Sequence, residues 1–312
     1  MRKFSGWLCT AAGALCWGLS GVFSEYLFSH YPIDASWLTA IRMPSAGFLL
    51  LCLAAIQQKK QLFALFHHRR SVLQLLVFAA GLLLSQFAYL SAIQHSNSAT
   101  ATVLQNLSIV MIAALSCLQQ RTRPSGRLIC SVLLALGGVF LIATNGRPQD
   151  MQLSASGLLW GLGAALGAVS YSMQSGPLIR QWGSLPVTGF GMLLGGLLLF
   201  PLFGLPFPAG LPASAWLWIL LIILVGTVGA YGLFLYGVSR IGPVEGALLS
   251  CLEPVTAAVF SALWLGTDFS IADLLGFACI LATVLLLSLP SRNRSASSAP
   301  APKAAPNEKK PL

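Results

Sequence analysis

Charge is what this 312-residue sequence has least of: Asp, Glu, Lys and Arg make up 8% of it, against about 25% in soluble domains. Eight acidic and eighteen basic residues cannot cover a water-soluble protein of this length, which excludes a soluble fold and makes lipid the main solvent. Paired cysteine is missing as well. Cys9, Cys16, Cys52, Cys117, Cys130, Cys251 and Cys279 form no C-x-x-C and all fall in apolar runs; this argues against a disulfide framework and a zinc site, and for small packing residues. Neither a P-loop lysine motif nor H-E-x-x-H occurs, so ATP-driven pumping and zinc hydrolysis lose their signatures. The four histidines, His30, His67, His68 and His95, lie in breaks between apolar runs. No cofactor and no metal is expected. The net charge of +10 comes from basic residues in those same breaks and not from a clustered face, so no nucleic-acid partner is expected.

What is there is apolar: 56% of the chain. A membrane-spanning helix needs about 20 mostly apolar residues, and ten segments qualify, near residues 6–28, 35–56, 72–92, 98–118, 127–143, 154–175, 185–205, 215–238, 243–264 and 273–289. The first is too long for a signal peptide and lacks a cleavage site, so it counts as a helix. Sixteen of the eighteen basic residues fall on one side of this alternation, and only Arg147 on the other; Arg42 lies within a helix. By the positive-inside rule both termini are cytoplasmic. Residues 290–312, rich in Ser, Ala, Pro and Lys, read as a disordered basic cytoplasmic tail.

Shifted by 145 residues, the sequence matches itself without a gap: Leu104, Leu107, Val110, Ala113, Ser116, Leu118, Thr122, Ser125 and Val139 fall on Leu249, Leu252, Val255, Ala258, Ser261, Leu263, Thr267, Ser270 and Val284. A weaker match at an offset of 151 brings Gly6 onto Gly157. Two five-helix repeats follow, over 6–143 and 154–289, joined by a periplasmic linker at 144–153. Five is odd, so the second repeat enters the membrane inverted, an architecture of secondary transporters. The expected fold is an all-α integral membrane protein of ten helices in two inverted repeats.

Trp17-Gly18, Arg42, the run from Ala99 to Leu107, Leu252-Glu253-Pro254-Val255, Leu265-Gly266 and Gly276 occur in an order and spacing that resemble the EamA-type members of the drug/metabolite transporter superfamily. The resemblance covers nearly all of residues 6–289. It departs at Thr267, where the family usually carries glutamate, and at Ser108-Ile109, where a proline is common. It implies an inner-membrane transporter of small organic solutes, often an exporter, with a central cavity between the repeats.

The residues themselves supply candidates for that cavity. Glu253 lies near the middle of the ninth segment, where a carboxylate costs a few kcal/mol; Pro254 lacks an N–H and leaves the Ser250 carbonyl without its helical donor. Ser250 and Glu253 share a helix face, and the 145-residue offset maps them onto Gln105 and Ser108. The same offset relates Gln86 and Tyr89 to Tyr231 and Phe234, amide and aromatic faces suited to a flat or cationic solute. Trp17 with Ser20, and Tyr171 with Gln174, form comparable faces. Arg42 and Glu25 are expected to form a structural or gating ion pair. Glu245, just after Pro243, is read as favouring a helix dipole.

The expected function is a secondary transporter in a bacterial inner membrane, working by alternating access. It would export amino-acid-like or amine-like metabolites or drugs, with Glu253 as the proton-coupling candidate and lipid as the other partner. A passive channel or facilitator is the first alternative, an integral-membrane enzyme the second.

Overall fold

The computed structural model describes residues 2–57, 63–147, 153–199, 201, 210–242, 246 and 249–288. The tail beyond 290, the middle of the linker, Lys59 and Lys60, and the reading of Pro243 and Glu245 lie outside those residues.

Among the described residues all regular structure is helical: α1 (Arg2–His30), α2 (Ala35–Gln57), α3 (Arg69–His95), α4 (Ser98–Gln105), α5 (Leu107–Gln119), α6 (Gly126–Thr144), α7 (Ala155–Trp182), α8 (Ser184–Leu197), α9 (Ala213–Ile223), α10 (Ala230–Ile241), α11 (Leu252–Leu265) and α12 (Ile271–Ser288). A short 3-10 turn, Ala64–His67, precedes α3, and a π-helical segment, Leu224–Gly229, joins α9 to α10. In hydrocarbon a backbone must satisfy its own polar groups, and helices do so within one segment. Among the described residues six helical spans are long and apolar enough to cross a membrane, with α4–α5 and α9–α10 each counted as one; three shorter apolar helices, and α7 with its 28 residues, accompany them.

Two helices begin at serines related by the 145-residue offset. Ser125 caps α6 by accepting from Leu128 N–H at 3.2 Å, and Ser270 caps α12 by accepting from Asp273 N–H at 3.1 Å while Asp273 accepts from Ser270 N–H at 3.0 Å. Such reciprocal caps satisfy the donors that a helix start leaves unpaired. One step earlier in each repeat, Arg121 and Gly266 both take positive φ, 50° and 68°.

Packing exchanges elements between the repeats. The most extensive contacts are α3 with α7, α2 with α8, α1 with α10 and α6 with α12, each joining an element of one half to an element of the other. The interfaces use small residues, Gly81 and Ser85 of α3 against Ser170 and Gly167 of α7 among them, as expected where close approach replaces the hydrophobic effect. The apolar side chains outside the bundle mark its lipid face: Leu118 and Leu263, 145 residues apart, are 74% and 81% exposed.

Two helices are interrupted at equivalent places. The fourth segment breaks at Asn106, between α4 and α5, and the ninth at Cys251, just before α11; the two positions are again 145 apart. Glu253 therefore sits in the first turn of α11, which corrects the expected mid-helix placement. Pro254 is the third residue of that helix, three positions past the break.

Candidate functional site

The breaks, the π segment and the inner faces of the long helices surround one cavity of about 280 Å³. Trp17 and Ser20 reach it from α1, Arg42 from α2, and Gln86 and Tyr89 from α3. The first broken helix contributes Gln105, Asn106, Ser108, Ile109 and Ile112, and α7 contributes Ala168, Tyr171 and Ser172. From the second repeat come Gly226 and Thr227 of the π segment, Tyr231 and Phe234 of α10, and Ser250 with Glu253 around the second break. Eleven of the twelve side chains expected to meet a solute are thus brought together. Gln174 is not among them: one turn beyond Tyr171 on α7, it falls outside the lining, and Ser172 stands there instead.

A hydrogen-bonded chain crosses the cavity. Arg42 Nη2 donates to Gln86 Oε1, and Gln86 Nε2 donates to Tyr231 Oη at 3.3 Å. Below it, Tyr89 Oη bonds Thr102 Oγ1 at 2.9 Å, and Gln105 Nε2 donates to Ser85 Oγ at 3.0 Å. Tyr231 also meets the edge of Trp17, with ring centroids 5.0 Å apart and planes at 77°, and Trp17 lies 4.7 Å from Phe234. These aromatic contacts make one wall apolar and fixed, while amides and hydroxyls line the other.

The expected ion pair between Glu25 and Arg42 does not form. Arg42 turns inward from α2 to the cavity, where it is 5% exposed. Glu25 turns to the start of α4: its Oε2 accepts from Ser98 N–H and from Ser261 Oγ, both at 2.9 Å, and its Oε1 accepts from Thr267 Oγ1 at 3.4 Å. A carboxylate at a helix N-terminus takes up an orphan N–H and the positive end of the dipole, which outweighs a partner on another face. The hydroxyl of Thr267, at the place where the resembled family carries glutamate, thus meets a carboxylate supplied by α1.

The charges inside the cavity have few partners. Arg42 Nε and Ser20 Oγ are two of the three buried side-chain polar atoms, among the described residues, with no hydrogen-bond partner. Both line this cavity, and neither was legible as such in the sequence. Glu253 holds the opposite charge type on the opposite repeat, with Ser108 at its repeat-related position.

The π segment is the other feature that sequence reasoning missed. Thr227 Oγ1 donates to the Ile222 carbonyl, five residues back, at 2.9 Å, and Gly226 packs so closely on Ser20 that an added Cβ would overlap that side chain. Such bulges recur at functional sites because they re-aim a turn of helix. The glycine pair at 226 and 229 inside an otherwise apolar run was its only sequence sign.

A helical membrane protein of two interleaved repeats around a polar, aromatic cavity has the form of a solute carrier. The comparisons agree. The EamA-like transporter family matches residues 4–144 and again 155–289, and the chain belongs to that family. It is 37% identical over 294 residues to the uncharacterized inner membrane transporter YicL of Salmonella typhimurium, covering 93% of this chain and 97% of that one. It is 25% identical over 233 residues to the uncharacterized transporter YwfM of Bacillus subtilis, covering 72% and 76%. A solved crystal structure shares the fold with a TM-score of 0.61 at 18% identity, over 90% of this chain and 96% of that one.

Proposed function

We propose that this protein is a secondary transporter of the bacterial inner membrane that exports small amino-acid-like or amine-like solutes by alternating access. The observation that carries the reading is the Gln86–Tyr231 hydrogen bond: positions equivalent in the two repeats meet each other across the cavity. A site that lies between two inverted halves is exposed to one side or the other as the halves rock. Ten crossings with both termini cytoplasmic complete this reading. In it, Glu25 with Ser98, Ser261 and Thr267 closes the periplasmic end, while Ile112, Ser172 and Phe234 extend the lining towards the cytoplasmic one.

Glu253 is the coupling group of this reading. It lies in the cavity at a helix start, where proton and solute compete for one carboxylate, so proton entry drives solute exit. The test is efflux from proteoliposomes under an imposed pH gradient, with labelled amino acids and amines as probes. Gradient-driven, saturable exchange supports it. Unitary current steps in a planar bilayer would identify a channel instead.

A further inference from the structure

We infer that Arg42 is the receptor for a carboxylate on the transported solute. The inference rests on the reading of the cavity as a solute site and narrows its substrate class from amino-acid-like or amine-like solutes to those that bear a carboxylate.

Three observations converge on it. Arg42 projects from α2 into the cavity and is 5% exposed. A guanidinium keeps its charge and carries five N–H donors in a planar fork. Its hydrogen bond within the protein runs from Nη2 to the neutral Gln86 amide, and its Nε has no partner. Glu25, the acid that the sequence offered as its counter-ion, is held at the start of α4 by Ser98, Ser261 and Thr267. A buried cation without a counter-charge is costly. A carboxylate arriving at this fork relieves that cost and pairs with it in a charge-assisted contact.

The neighbourhood suits such a ligand. Ser20 Oγ, the other orphaned polar atom of the lining, offers one more donor, and the Trp17, Tyr231 and Phe234 rings stand ready for an apolar side chain. Gln86 is tied to Tyr231 and so holds the guanidinium in orientation from the second repeat. Glu253 lines the same cavity and is free to meet the ammonium of a zwitterion. One cationic and one acidic group in a single cavity fit a solute with both charges better than an amine alone.

The test compares matched ligands on the purified full-length protein, read by the shift of its thermal unfolding midpoint. Phenylalanine and leucine are set against phenylalaninamide and leucinamide, which keep the ammonium and the side chain and lose only the carboxylate; 2-phenylethylamine and 3-phenylpropionate complete the panel. The acids are expected to bind on the order of 10- to 100-fold more tightly than their amides. Arg42→Gln should erase that difference, and Arg42→Lys, which keeps the charge and loses the fork, should restore part of it. The comparison on the unaltered protein needs no variant to fold. Amides that bind as well as acids, acid binding that survives Arg42→Gln, or no binding by either acid overturns the inference. Counterflow in proteoliposomes separates the two readings: acids that bind without exchanging support the Arg42 site and sink the transport reading, and amines that exchange while acids do not bind do the reverse.

Discussion

Gln86 and Tyr231 occupy the same position in two inverted repeats, 145 residues apart, and they hydrogen-bond to each other across the cavity at 3.3 Å. Residues related by an internal two-fold meet directly only near its axis, so this bond marks the middle of the molecule. It also extends through Gln86 to Arg42. Tyr231→Phe deletes the acceptor while keeping the ring that packs on Trp17. A neutral hydrogen bond of this kind contributes about 0.5–1.5 kcal/mol, so solute affinity should fall by roughly 3- to 10-fold with folding intact. Isothermal titration of the variant checks it; unchanged affinity would detach the bond from binding.

Glu253→Gln keeps the shape of the side chain and removes its ability to release a proton. Counterflow exchange, which needs no gradient, should persist, while accumulation driven by a pH gradient should disappear. The two assays run on the same proteoliposomes. Gradient-driven flux at the unaltered level would show that Glu253 does not couple.

Glu25→Gln weakens three contacts at once, including the charge-assisted one to Ser98 N–H. The start of α4 should loosen, with backbone amide hydrogen exchange across residues 97–101 accelerating by about 10-fold for each 1.4 kcal/mol lost. Exchange at the start of α6, capped independently by Ser125, serves as the internal reference. Equal rates in variant and parent at 97–101 would remove the clasp.

Gly226→Val tests the π segment. A side chain there overlaps Ser20, and overpacking of a close contact costs typically 1–3 kcal/mol. The thermal midpoint should fall and binding should be lost together, since Ser20 and Gly226 both line the cavity. Gly232, six residues on, has nothing within 4 Å of an added Cβ, so Gly232→Ala should leave the midpoint nearly unchanged.

Much of this was readable from residue order, because lipid makes the rules local. Long apolar runs must be helices, and Gln86 with Tyr89 and Tyr231 with Phe234 announced inward faces by helical spacing alone. The offset of 145 carried the reading further: it related Gln105 and Ser108 to Ser250 and Glu253, and the structure gathers all four at one cavity. Spacing on one helix failed at Gln174, since a face that is polar over one turn need not still point inward at the next.

What residue order determined, then, is the content of each helix and the two-fold repetition of the whole, both set by hydropathy along a single segment. Partnership was decided by the tertiary structure. Arg42 and Glu25 lie on helices consecutive in sequence and at compatible depths, and nothing local says that one turns to Gln86 while the other takes the start of α4. Helix rotation about its own axis is fixed by which small-residue surfaces interlock across the repeats, a long-range choice, and that rotation selects which polar groups meet. The breaks at Asn106 and Cys251 follow the same logic: only the second lies beside a proline, yet both occur, because the fold and not the local chain places them at the cavity.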